Sequence, residues 1–402
     1  MNKLIITRWN GSVATLLQSG KQIVQIDIEP EENRSVLGNI YIGKVNNVVK
    51  NINAAFVDIG NGQMGYLSLA DTGIHYADQR PFDGKLRQGD EIVVQVERDA
   101  VKSKAPVLTG NLNITGRYFV LTSEKKQIGF STKITDQTWK REMKSYLETI
   151  KDDSFGIIVR TNAPGASKDE LELELAHLKD SLAKILDNAK HRTCYSLLYS
   201  SAPSYLTGLR DSLKSSLEAV ITDEADIYEA VKDYLVRYQP EDLRLLSLYD
   251  DELLPLNKLY RIEKTMEEAL GKRVWLKSGG YLVIEPTEAL SVIDVNTGKY
   301  SGKKELRETI MKVNLEAAEE IGHQLRLRNL SGIIIIDFID MESEEDRRLL
   351  MERLEALLSK DPVKTTVVEM TKLNLVEVTR KKIRKPLYEQ VPQKREHIKT
   401  GK

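Results

Sequence analysis

The chain has 402 residues, more than one ordinary core organises, so two to four folding units are expected. Its 41% hydrophobic and 30% charged residues exclude a disordered chain. A formal net charge of −1 leaves any nucleic-acid binding to local patches, and the single cysteine, Cys194, excludes a disulfide framework and any zinc site using two cysteines of one chain.

Residues 1–20 carry no apolar stretch with a cleavage site, and no run of about 18 apolar residues occurs anywhere. No membrane segment is therefore expected, and a reducing cytoplasm is the expected location.

Short apolar alternations such as Ile23-Val24-Gln25-Ile26-Asp27-Ile28 give the first 35 residues the character of strands. Residues 36–100 continue in β character, with Gly or Asn between Ile40-Tyr41-Ile42, Ala55-Phe56-Val57-Asp58-Ile59 and Ile92-Val93-Val94-Gln95-Val96. Strands so short and closely spaced suggest a small barrel. More strands are expected over 112–165, ending in Gly156-Ile157-Ile158-Val159. Leu171, Leu175, Leu178, Leu182 and Ile185 then step by four and three, the period of an amphipathic helix.

A mixed helical stretch is expected through 205–270. From 273 onward strands and helices alternate: Tyr281-Leu282-Val283-Ile284, a helix over 305–328, then Gly332-Ile333-Ile334-Ile335-Ile336-Asp337. That order suggests a layered α/β unit. Ten Lys or Arg against three Glu fall between Lys372 and Lys402. Such a tail is either a solvated end or an arm that faces RNA.

Alternation in Ser291-Val292-Ile293-Asp294-Val295-Asn296 puts Asp294 and Asn296 on one face of a strand. Asp337 ends a run of four isoleucines, at the mouth of a buried strand where α/β enzymes gather ligands. Two such carboxylates can hold a hard cation, with water and phosphate oxygens completing its shell. An Asp in either place also caps turns or accepts backbone hydrogen bonds, and the spacing alone does not separate these readings.

A longer pattern surrounds them. Gly279-Gly280-Tyr281-Leu282-Val283-Ile284-Glu285-Pro286-Thr287-Glu288-Ala289-Leu290, running into Ile293-Asp294-Val295-Asn296-Thr297-Gly298, resembles the signature of the ribonuclease E/G family. So do Asn314-Leu315-Glu316-Ala317-Ala318, Gln324-Leu325-Arg326-Leu327-Arg328 and Ile336-Asp337-Phe338-Ile339-Asp340-Met341. The similarity extends, more thinly, from residue 1 to about 385.

The resemblance implies a multidomain fold of α/β and β parts. An RNase H-like domain (1–35 and 206–271) is interrupted by an S1 RNA-binding barrel of OB type (36–111) and a 5′-sensor region (112–205). A DNase I-like catalytic domain (272–385) and a basic tail (386–402) follow. It implies Mg²⁺, with Mn²⁺ as a substitute, on Asp294 and Asp337, and Asn296 orienting the first carboxylate or the scissile phosphate. Phe56 and Tyr66 become base-stacking platforms and Lys104 a contact to the RNA backbone, although a Phe in a strand is more often core. Gly116, Val120, Arg160 and Thr161 match the pocket for a 5′ monophosphate, Arg160 being otherwise a salt-bridged strand end. The family's second sensor arginine falls on Lys364, which keeps the charge and loses the bidentate fork.

The family's Cys-Pro-x-Cys motif is missing after Lys385-Pro386, so no structural zinc link is expected, and a homodimer would pack directly through the α/β domain. The implied activity is a Mg²⁺-dependent, single-strand-specific endoribonuclease of rRNA and tRNA maturation and mRNA decay. It would favour 5′-monophosphorylated RNA and leave a 5′ phosphate. The competing readings are a non-catalytic RNA-binding protein, which Asp294, Asn296 and Asp337 argue against, and a DNase or phosphomonoesterase, which the barrel disfavours.

Overall fold

The structure, a computed structural model, describes residues 2–31, 35–71, 73–100, 105–123, 126–151, 154–212, 217–298 and 306–391. Lys104 and residues 392–402 of the expected tail lie outside the described residues. The chain divides into two compact units, Met1–Glu32 with Leu217–Lys402, and Asn33–Ser216.

The Asn33–Ser216 unit contains the barrel. Strands Ile40–Val49, Ala54–Asp58, Met64–Ser68, Val107–Thr109 and Glu91–Arg98 pair in that order, and Ile40–Val49 also pairs with Glu91–Arg98. The five strands thus close on themselves in an OB-like barrel, which removes the exposed sheet edges. Val45, Ala55, Val57, Leu67, Val94, Val96 and Leu108 fill the interior. Gly65 is required there, because a Cβ would lie 2.4 Å from Leu108.

A second sheet of this unit orders Asn113–Thr115, Phe119–Thr122, Gly156–Val159 and Ile128–Phe130. Helix Lys168–Ala189 buries Leu171, Leu175, Leu178, Leu182 and Ile185 in the core that this sheet shares, as their spacing predicts. Helix Gln137–Ile150 is an addition to the strands expected over 112–165. Asp136 caps it through the Thr138 and Trp139 amides, and Leu147 is fully buried beside Trp139, Met143 and Ile150.

In the other unit, a five-stranded sheet orders Leu246–Leu248, Leu217–Thr222, Asn2–Trp9, Ser12–Ser19 and Gln22–Pro30. Its strands come from two distant stretches of chain, between which residues 33–216 are inserted. Strand Leu217–Thr222 corrects the expectation of helix through 205–270. Its Val220-Ile221-Thr222 run is β-branched, and it pairs in parallel with Asn2–Trp9, a partner no local pattern announces.

The second sheet of this unit orders Arg273–Trp275, Tyr281–Pro286, Leu290–Asn296, Gly332–Asp337, Leu375–Arg380 and Thr365–Met370. Only Leu290–Asn296 and Gly332–Asp337 run parallel, connected through helix Leu306–Leu327. That helix and Glu344–Leu358 cover one face, packing on Leu282, Ile284, Ile293, Val295, Ile334, Ile336, Val376 and Val378. Each fully buried Leu or Ile there contributes about 1.5–3 kcal/mol by leaving water. The alternate residues point to the opposite face, where both aspartates lie.

The start of the expected tail is structured. Leu375–Arg380 is a paired strand, and helix Leu387–Gln390 buries Leu387 completely. Among the described residues, no helix is long and apolar enough to cross a membrane.

Candidate active site

Asp294 and Asp337 are cross-strand partners, the last register pair between the two parallel strands of the six-stranded sheet. They project from the face opposite the two helices, Asp294 half-buried and Asp337 exposed. Asn296, two residues on and on the same face, donates from Nδ2 to Asp294 Oδ2 at 2.7 Å. Partial desolvation by its neighbours, then the charges of Asp294 and Asp340, raise the Asp337 carboxyl above its ordinary value.

The rest of the quoted signature supports this pair. Asn314, wholly buried, is bonded to both backbone groups of Ile339, which fixes the loop after Asp337. Glu316 accepts the Lys277 amide at 2.6 Å and the Ser278 amide at 3.1 Å, holding the turn before Tyr281. Gly280 lets its strand approach closely, since a Cβ would lie 2.7 Å from the Asn296 carbonyl oxygen. Gly298, at φ +70°, passes so near the Gly279 carbonyl that a Cβ would lie 2.3 Å away. Arg328 donates to the Gly271 and Glu268 carbonyls and to Gln324 Oε1, so its role here is to finish helix Ile262–Leu270.

The donor set fits a hard divalent cation: two adjacent carboxylates, one fixed by an amide, whose mutual repulsion a cation would relieve. Among the described residues, no group of three or more His, Cys, Asp or Glu side chains is placed to hold a metal. Water and phosphate oxygens would have to supply the other positions.

On the barrel, Phe56 and Tyr66 are direct cross-strand partners, with ring centroids 6.4 Å apart and planes at 79°. Their neighbours Ala55, Val57, Gly65 and Leu67 are buried, whereas both rings are half-buried on the outer surface. Phe56 is thus not a core residue. Asn47 beside Phe56 and Val107 beside Tyr66 extend the row.

The structure brings Gly116, Val120 and Arg160 into one small sheet region and leaves Thr161 exposed in the adjoining turn. The Arg160 guanidinium is already engaged, by the Gly116 carbonyl and by Asp211 at 2.8 Å. Asp211 also accepts from Arg210 at 2.9 Å. Burial opposes the Asp211 charge, but the two arginines prevail and lower its pKa. Glu174 accepts the amides of Arg117, Tyr118 and Phe119 at 2.7, 2.7 and 2.9 Å, directly against Gly116. Neither acid was foreseen from sequence, because Arg160 lies 51 positions from Asp211 and the amides that Glu174 accepts lie 55–57 positions from it. Lys364 is exposed in the other unit.

A profile described as the ribonuclease E/G family matches residues 113–383. Ribonuclease G of Haemophilus influenzae is 37% identical over 388 residues, 94% of this chain and 79% of that one. Ribonuclease G of Escherichia coli K12 is 36% identical over 378 residues, 92% of this chain and 77% of that one. Ribonuclease E of a Synechocystis species is 34% identical over 360 residues, 88% of this chain and 53% of that one. The chain belongs to the ribonuclease E/G family. It is an enzyme, an endoribonuclease.

Proposed function

We propose that the protein hydrolyses single-stranded RNA at the Asp294–Asp337 pair, in RNA processing and mRNA decay, and leaves a 5′ phosphate on the downstream product. The observation that carries this reading is the register pairing of the two aspartates on one sheet face, with Asn296 bonded to the first. Asp294 and Asp337 would hold a Mg²⁺ ion, or Mn²⁺ in its place. When bound, the ion supplies Lewis acidity at the scissile phosphate and lowers the pKa of water. Asn296 fixes the rotamer of Asp294, leaving Oδ1 free of that bond and directed by the strand. Asn314 holds the backbone beyond Asp337 and so limits its movement.

In the same reading the barrel is an S1 domain whose Phe56 and Tyr66 stack on bases, and Lys104 touches the RNA backbone. The first sheet is RNase H-like, residues 272–385 are DNase I-like, and the region 112–205 is a 5′ sensor. There Gly116, Val120, Arg160 and Thr161 favour a monophosphate, which exchanges for Asp211 on Arg160. A homodimer would pack through residues 272–385 without zinc, in the cytoplasm.

The test is cleavage of a 5′-monophosphorylated, A/U-rich single-stranded RNA, its 5′-triphosphate form and a matched DNA. The monophosphate should be cut fastest in Mg²⁺, EDTA should stop the reaction, and the DNA should survive. Equal cleavage of RNA and DNA, or cleavage in EDTA, would refute the reading.

A further inference from the structure

We propose that Arg273, Trp275 and Tyr281 form a base-stacking subsite for a nucleotide beside the scissile phosphate. Two register rows cross the sheet on the face of the aspartates. One runs Arg273, Val283, Asp294, Asp337, and the next runs Trp275, Tyr281, Asn296. With neighbouring strands about 4.8 Å apart, Tyr281 stands one strand from Asn296 and Trp275 stands about 10 Å away. A nucleotide whose phosphate lies at the carboxylates has its base within reach of these rings.

Core packing does not account for them. Trp275, on the edge strand, is 64% exposed and forgoes most of the burial its ring could gain. Its ring centroid lies 5.2 Å from that of Tyr281, with planes at 58°, so the pair offers an open aromatic corner. The Arg273 guanidinium carbon sits 4.6 Å from the Tyr281 centroid and 5.7 Å from the Trp275 centroid. A cation held against two rings matches a base joined to a phosphate, and stacking of this kind accepts any base. Single-stranded RNA is the occupant these features favour over a second copy of the chain, because both rows continue directly into the carboxylates and their asparagine.

This inference rests on the ribonuclease reading, and the experiment separates the two. The full chain is given a 5′-monophosphorylated A/U-rich RNA in which one abasic nucleotide is moved through the positions flanking the cleavage site. For the wild type, one abasic position next to the cut should lower kcat/KM about tenfold, the size of one stacking contact. Trp275→Ala should lower kcat/KM on intact RNA by a similar factor and should no longer respond to that abasic position. Trp275→Phe should retain most of the rate, and unchanged melting temperatures exclude a folding defect. If Trp275→Ala cuts intact RNA like the wild type, or keeps the full abasic penalty, the subsite does not exist. If light scattering shows that Trp275→Ala converts a dimer to a monomer while the abasic penalty persists, the face seats a second copy and the proposal is wrong. Failure of the wild type to cut any RNA would instead overturn the ribonuclease reading, and this inference with it.

Discussion

Asn314 Nδ2 donates to the Ile339 carbonyl at 2.8 Å, and the Ile339 amide donates to Asn314 Oδ1 at 3.1 Å. One buried side chain thus satisfies both backbone groups of a residue 25 positions away, two residues past Asp337. Asn314→Ala leaves both groups unpaired, at about 1–3 kcal/mol for each one that stays buried. The variant should melt at a lower temperature, and below that melt kcat should fall more than KM rises, because the loop beyond Asp337 is loosened. Steady-state cleavage kinetics with a thermal melt check this. An unchanged kcat would mean that the loop does not position Asp337.

The outward placement of Phe56 and Tyr66 separates binding from folding. Each change to Ala should weaken binding of single-stranded RNA by about 1–3 kcal/mol. The melting temperature should move little, since neither ring belongs to the barrel interior. Fluorescence anisotropy with a labelled RNA, beside calorimetry, measures both. A large drop in melting temperature with unchanged affinity would return the rings to a structural role.

Stability away from the site depends on Arg380 and Asp361, whose side chains are each only 3% exposed and lie 2.8 Å apart. Arg380 also donates to Asn329 Oδ1 at 2.9 Å and to the Leu330 carbonyl at 3.0 Å. Asp361→Ala strands a buried guanidinium and should cost about 3–5 kcal/mol in urea unfolding. A loss below about 1 kcal/mol, the range of surface pairs, would show that water reaches the pair.

His323 gives a pH signature. Burial opposes its charge, but the Glu320 carboxylate at 3.1 Å and the Ile23 carbonyl at 2.8 Å each face a ring nitrogen and raise its pKa. Both contacts require N–H donors, so the folded protein favours the imidazolium. Burial likewise opposes the Glu320 charge, yet hydrogen bonds from His323 and Gln324 keep its pKa below the ordinary value, so it remains ionised in mild acid. The stabilisation is full below the ordinary histidine pKa of about 6.5 and is lost as pH rises through the raised folded value. The stability gap between wild type and His323→Ala should therefore be wider at about pH 5.5 than at about pH 9. A gap that is constant, or widens with pH, contradicts the charged pair.

Short apolar runs made the strands at 281–284 and 332–337 legible, and alternation the one at 291–296 with the shared face of Asp294 and Asn296, because those signals are local. The meeting of Asp294 with Asp337 is not local. It depends on a parallel register across 43 positions, which only the family pattern supplied. Helix Gln137–Ile150 had a readable signal in its Asp136 cap and the spacing of Trp139, Met143, Leu147 and Ile150. Strand Leu217–Thr222 gained its place from a partner at the chain's beginning, so tertiary pairing decided it. Glu174, Asp211 and Glu316 were silent in sequence because acidic residues on helices ordinarily face solvent. Their roles come from backbone amides and guanidinium groups that the fold brings to them.

The central claim is that Asp294 and Asp337 together perform cleavage while leaving RNA binding to other residues. Single-turnover cleavage of a 5′-monophosphorylated RNA in saturating Mg²⁺ by Asp294→Asn and Asp337→Asn, with affinity measured on the same preparations, tests it most directly. Both variants should bind RNA within about threefold of wild type, a shift under 1 kcal/mol, and cut at less than about one per cent of its rate. Cleavage by either variant at a tenth of the wild-type rate or more, with binding intact, would contradict the assignment.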